Sequence, residues 1–362
     1  MFKQSNEVFK ELDRRGIPVS VKFCTEVLDE LSKENLLILA KNKVSSTKDL
    51  KNLAEAEART FSSWPMTAKG DFSLSQEALK YHPEASIVAD YSRHSSLKRL
   101  ITTMTGLKTK AIEGNGIVYP SHNVKEDLGR VYVSDFNYTN LPKNCRRVVE
   151  APEGFRFVNL DAKRAELYIL AYMADDEKLL QALNSDDFHQ TTADALGIDR
   201  DTAKVISFSM IYGATPRFLS TELGITESKA VVLLTDFAVL YPKAWAFIRN
   251  TFDIGEEFGK ASSGFGTVRH FDGSERGKSA VSHSLQSTAG EIVRLLLPVV
   301  DKFAKDKGGC LTLTVFDSYL VMLPDDVPES DIESLVKDIE RESEKYDFPM
   351  YFDWKDLGRN WG

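Results

Sequence analysis

The chain has 362 residues, room for two or three lobes, with 42% hydrophobic and 28% charged residues, ordinary proportions for a folded protein. Three widely separated cysteines, Cys24, Cys145 and Cys310, exclude a disulfide framework and a cysteine zinc site, and fit a reducing compartment. A formal net charge of −8 speaks against a uniformly basic nucleic-acid binder, yet the basic segments RHSSLKRL (93–100) and NCRR (144–147) leave a local basic cleft open.

The start, MFKQSNEVFKELDRRG, is charged and lacks a signal-peptide core, and no apolar run approaches the ~20 residues of a membrane helix. The expectation is a cytoplasmic protein without a targeting segment. Residues 5–60 read as helices, with GIPVS between the first two and SSTKDL supplying an N-cap for the third. Residues 75–105 read as helix again, and Asn115-Gly116 predicts a hairpin. FRFVNLDA (155–162) reads as a strand that ends in an aspartate. Helical patterns run from Glu166 to about Phe258, followed by a turn-rich loop, ASSGFGTVRHFDGSERG. SHSLQSTAGEIVRLLLPVVDKFAK is a long amphipathic helix. CLTLTVFDSYLVMLP reads as a hairpin with Asp317 at its turn, and DIESLVKDIERESEKY as a closing helix. Acid-bearing strands separated by a long helical insertion make an α+β arrangement.

Two features carry chemistry. In RDTAKVISFSMIYG, Arg200, Lys204, Phe208 and Tyr212 recur at four-residue steps. On a helix such steps rotate by about 40°, so the four cover roughly 120° of one face over about 18 Å, close to the length of a nucleoside triphosphate. Cations lie at the N-terminal end, where the helix dipole favours anions, and aromatic rings lie where sugar and base would follow. The second feature is the pair Asp161 and Asp317, at a strand end and a hairpin tip. Singly, each is an ordinary turn or capping residue; together on adjacent strand ends they could hold two Mg²⁺ ions.

These residues carry a resemblance. RDTAKVISFSMIYG is similar to the fingers pattern RxxxKxxxFxxxYG of family A DNA polymerases. LDAKRAELYIL resembles motif A (DYSQIELR), keeping Asp161, Glu166 and Leu167, and TVFDSYLV resembles motif C (VHDE) with Asp317. DFHQTTADALGI is similar to the D-[IV]-H segment, with His189 at the histidine. SHSLQSTAGEIVR resembles NxPxQGTAADxxK through Gln286, and LGRVYVSDFNYTNLPKNCRRVVEAPEGF resembles the TGRLSS segment through Arg130, Asn137, Asn140 and Arg147. The likeness runs from about Arg15 to the C-terminus.

The resemblance implies a right-hand polymerase fold with an antiparallel-sheet palm, helical fingers and a shortened helical thumb. The implied lobes are the start of the palm at 1–20, an abbreviated thumb at 21–75, palm with motif A at 76–170, fingers at 171–278 and palm with motif C at 279–362. It implies template-directed addition of dNTPs to a primer 3′ end by two-metal nucleotidyl transfer. Members of the family usually carry an exonuclease-fold domain before the polymerase module, and a chain that begins almost at the palm is expected to lack intrinsic proofreading. Asp161 and Asp317 would hold two Mg²⁺ ions, with Mn²⁺ as a substitute. Arg200 and Lys204 would hold the triphosphate, with Lys204 a proton donor to pyrophosphate. His189 and Phe208 would complete the nucleotide site, with Tyr212 beside the nascent pair and Glu166 a steric gate against a 2′-OH. Arg130, Asn137, Asn140, Arg147, Arg164, Gly213 and Gln286 would contact the primer–template.

The departures cluster. Motif C has Phe316 and Ser318 for its histidine and glutamate, Arg164 replaces a glutamine, and Ser282 replaces an asparagine. Altered mismatch discrimination is the expectation. A thumb limited to 21–75 predicts weak grip and a separate processivity or proofreading protein as partner, and the economy of the chain suggests a phage or mobile-element source. Two other readings compete. A single-subunit RNA polymerase is suggested by FDSY and opposed by Glu166 and Phe208; a non-catalytic accessory subunit is suggested by the altered motif C and opposed by the intact aspartates and helix ladder.

Overall fold

A computed structural model describes residues 2–125, 129–211 and 215–362. In chain order it contains α1 (Lys3–Arg15), β1 (Ile17–Pro18), α2 (Val21–Lys41), α3 (Thr47–Ala58), α4 (Gln76–Leu79), α5 (Ser86–Glu113), β2 (Ile117–Val118), β3 (Ser121–Lys125) and β4 (Arg130–Ser134). The strand β5 (Phe155–Ala162) leads into α6 (Ala165–Ala174), α7 (Glu177–Leu183), α8 (Phe188–Leu196), α9 (Arg200–Ile211), α10 (Pro216–Leu223), α11 (Glu227–Leu240) and α12 (Pro242–Phe258). A short hairpin, β6 (Lys260–Ser262) and β7 (Val268–His270), precedes α13 (Arg276–Asp306), β8 (Cys310–Val315), β9 (Ser318–Pro324), α14 (Glu329–Glu344) and β10 (Phe352–Gly358).

Local chemistry explains most boundaries. The side chains of Ser20 and Ser46 accept backbone N–H groups at the starts of α2 and α3, satisfying donors that a helix N-terminus leaves over. Asn115-Gly116 is not a hairpin turn. Asn115 (φ 51°) and Gly116 (φ 85°) follow the last turn of α5, and the Gly116 N–H returns to the Ala111 carbonyl at 2.7 Å, so the dipeptide terminates a helix. The expected loop after Phe258 holds the β6–β7 hairpin, too short to show an alternating pattern.

The chain divides into two compact units. The first comprises residues 1–17, 119–141 and 151–360; its central sheet has the order β10-β5-β9-β8 with every pair antiparallel. The long α13 packs on this sheet, and the Tyr319 hydroxyl of β9 donates to the Val293 carbonyl of α13 at 2.7 Å inside a continuous apolar core. The second unit comprises residues 18–118, 142–150 and 361–362, in which α5 packs along both α2 and α3. The boundary expected at residues 75 and 76 therefore falls inside the second unit, because α5 buries its apolar face on helices that precede it. Among the described residues no single helix is long and apolar enough to cross a membrane.

Candidate active site

β5 alternates so that Leu160 and Ala162 are buried while Asp161 is exposed at the strand end. In the antiparallel pairing of β5 with β9, Asp161 lies opposite Ser318, and the Ala162 N–H donates to the Asp317 carbonyl at 3.1 Å. Strand register thus brings two acids far apart in sequence to one sheet end. The β8–β9 turn consists of Phe316 and Asp317 between the paired residues Val315 and Ser318. Phe316 adopts φ 54°, unusual for a bulky side chain, and its ring is 72% exposed beside Asp317.

Burial pushes the Asp317 carboxyl up to about 6, and the charges of Asp161 and Glu166 push in the same direction. Glu166 belongs to the first turn of α6 and lines the same cleft of ≈ 760 Å³ as both aspartates. Asn137, Asn140, Arg164, Phe208, Gln286 and Phe316 line it as well. Among the described residues no group of three or more His, Cys, Asp or Glu side chains could hold an ion by itself. Two hard carboxylates in mutual repulsion are nevertheless a suitable donor set for Mg²⁺, which typically takes one or two carboxylates and completes its shell with water and phosphate oxygen.

Arg164 has φ 49° at the start of α6, and its Nη1 donates to the Leu183 carbonyl at 3.0 Å. The same carbonyl accepts the Tyr168 hydroxyl at 2.9 Å, so part of the Arg164 guanidinium ties α6 to the end of α7.

The helix face expected to meet a ligand is turned outward. On α9, Ala203, Ile206, Ser207, Met210 and Ile211 are buried, whereas Arg200, Lys204 and Phe208 are exposed. Tyr212 and Gly213 lie outside the described residues, as does the side chain of Arg130. His189 is only 7% exposed, and among the described residues its Nδ1 has no hydrogen-bond partner. Burial lowers its pKa, and the nearby cations of Arg164, Arg200 and Lys204 lower it further, so His189 is neutral in an electropositive pocket. Its ring lies 5.8 Å from that of Phe208. Arg147 belongs to the second unit, where its Nη2 donates to Glu30 Oε1 at 2.6 Å.

The structure also shows residues that sequence reasoning missed. Asp187 Oδ2 accepts Arg200 Nε at 2.7 Å while Oδ1 caps α8. His122 Nδ1 donates to Asp13 Oδ1 at 2.5 Å, and its Nε2 accepts the hydroxyl of fully buried Tyr138 at 2.7 Å. The Thr314 N–H donates to the Tyr138 oxygen at 3.5 Å, which ties the segment carrying Asn137 and Asn140 to β8. Asp353 of β10 lies opposite Asp161 and pairs with Lys163 Nζ at 2.7 Å. Partners as far apart in the chain as Tyr138 and Thr314, 176 residues, leave no periodic trace in the sequence.

The profile of DNA polymerase family A matches residues 21–362, and the chain belongs to that family. It is 27% identical to a thermostable DNA polymerase I of Thermus filiformis, over 81% of this chain and 38% of that protein. It is 25% identical to DNA polymerase I of Pseudomonas aeruginosa (81% and 34%) and 29% identical to a thermostable DNA polymerase I of Thermus thermophilus (73% and 34%). The chain thus spans well under half the length of these relatives. Its fold is that of a POL domain: the solved POL domain of Pol1 from M. smegmatis, in complex with DNA primer-template and dNTP, superposes with a TM-score of 0.83. That match covers 99% of this chain and 69% of the other at 19% identity.

Proposed function

We propose that this chain is a template-directed DNA polymerase that extends a primer 3′ end with dNTPs. The observation that carries the reading is the meeting of Asp161 and Asp317 at one sheet end, in a cleft that Phe208 of the exposed α9 face also lines. In the reaction the primer 3′-oxygen attacks the α-phosphorus of the dNTP. A new P–O bond forms, the bond to the bridging oxygen breaks, and pyrophosphate leaves.

Asp161 and Asp317 would hold two Mg²⁺ ions, which when bound supply acidification of the 3′-hydroxyl and neutralisation of the leaving pyrophosphate. Arg200 and the neutral His189 bind and orient the triphosphate. Lys204 Nζ, exposed on the same helix face, gives a proton to the departing pyrophosphate. Glu166 occupies the space beside the sugar and excludes a 2′-hydroxyl. Phe208 packs on the nucleotide, with Tyr212 and Gly213 next along the chain. Asn137, Asn140, Arg164 and Gln286 contact the primer–template from the cleft, with Arg130 and Arg147 as further phosphate or base contacts.

We assign the palm to the β10-β5-β9-β8 sheet and the fingers to the helices α7–α12. The second unit, which extends through α5, we assign as the thumb. The test is extension of a primed template with Mg²⁺, comparing dNTPs with rNTPs. Extension with dNTPs that disappears in Asp317→Ala supports the reading. Preferred use of rNTPs, or equal extension by the variant, overturns it.

A further inference from the structure

Asp187 uses its two carboxylate oxygens for two different tasks. Oδ1 accepts the backbone N–H groups of His189 and Gln190 at 3.0 and 3.1 Å, forming the N-cap of α8. Oδ2 accepts Arg200 Nε at 2.7 Å. Arg200 is 46% exposed along its side chain, and no other hydrogen bond to its guanidinium is observed among the described residues. Bonding through Nε fixes the plane of the guanidinium and leaves its terminal amino groups for a ligand. The neighbourhood is otherwise cationic: Arg164, Arg200 and Lys204 all act on His189, and Asp187 opposes them. His189 itself is buried, and among the described residues its Nδ1 makes no hydrogen bond.

We infer that Asp187 is a positioning residue for the triphosphate: one carboxylate sets both the helix that presents His189 and the guanidinium plane of Arg200. This rests on the polymerase reading above. Asp187 need not touch the nucleotide and acts through its two neighbours. The Arg200 bond, followed by the Gln190 N–H, holds its pKa down to about 2, so it stays ionised at any working pH.

The two tasks can be separated. Ser is as good an N-cap as Asp but brings no charge, so Asp187→Ser keeps the α8 cap and removes the hold on Arg200. Asp187→Asn, which also keeps a capping oxygen, serves as the second variant should the serine chain fail to fold. Steady-state kinetics on a primed template are measured for the wild type, Asp187→Ser, Arg200→Ala and the double variant, together with Kd for inorganic tripolyphosphate. The expected result for Asp187→Ser is a KM for dNTP raised about tenfold with kcat within about threefold, and a tripolyphosphate Kd raised by a similar factor. In the Arg200→Ala background the same substitution changes little, because its target is gone. Unchanged KM and Kd in Asp187→Ser, or an equal additional loss in the Arg200→Ala background, overturns the inference. A wild-type chain that extends no primer counts against the polymerase reading, and tripolyphosphate affinity then decides the positioning role by itself.

Discussion

The two halves of the cleft are built by opposite means. The carboxylate half is fixed by strand register: Asp161 sits opposite Ser318, and a tight β8–β9 turn sets Asp317 beside it. Burial, and after it the charge of Asp161, pushes the Asp317 carboxyl up to about 6. The cation half stands on one exposed face of α9 and on α8, with Asp187 the anion that joins them. One half needs positive charge to relieve it and the other needs negative charge. A dNTP with its metal ions carries both signs, and its binding would relieve both halves together.

Breaking the carboxylate half gives the largest effect: Asp161→Ala and Asp317→Ala each lower single-turnover incorporation by ~10⁴-fold or more, read by rapid-quench primer extension. Breaking the cation half costs less. Lys204→Ala lowers kcat by ~10²–10³-fold, and its pH–rate profile loses the basic limb that a proton donor produces. Between the halves, Glu166→Ala raises the efficiency of rNTP incorporation by about 10²-fold with little change for dNTPs, checked by competing the two on one template.

The smallest effect sharpens the contrast through stability. The Asp317 carboxyl is raised from its ordinary 3.8 to about 6, so the folded state binds more protons than the unfolded one between these values. The contribution of Asp317 to metal-free stability is therefore fully present below about pH 4 and is lost as pH rises through 6. Asp317→Asn removes this penalty and stabilises the metal-free chain by about 1–3 kcal/mol at pH 7.5, measured by urea unfolding in the presence of a chelator. A destabilised variant would mean that ionised Asp317 is held by partners, not opposed by burial and like charge.

What the sequence made legible follows from the same contrast. β5, the β8–β9 hairpin and the face of α9 were readable because alternation and four-residue spacing are local signals. Proximity of Asp161 and Asp317 needed strand pairing, which came only through the likeness to the family's motif order. Asn115-Gly116 misled because an Asn-Gly pair closes a helix as readily as it turns a hairpin. The extent of the second unit was hidden because the packing of α5 on α2 and α3 is a tertiary fact. In sequence Asp187 is only the first residue of the DFHQTTADALGI segment, and its bond to Arg200 appears only when α8 and α9 are packed together.

Whether the paired aspartates hold the metals can be read directly. Mn²⁺ binding is counted by electron paramagnetic resonance with primed template and a non-hydrolysable dNTP analogue, for the wild type, Asp161→Asn and Asp317→Asn. Two tightly bound ions in the wild type and at most one in either variant is the predicted result; two ions retained in both variants would contradict it.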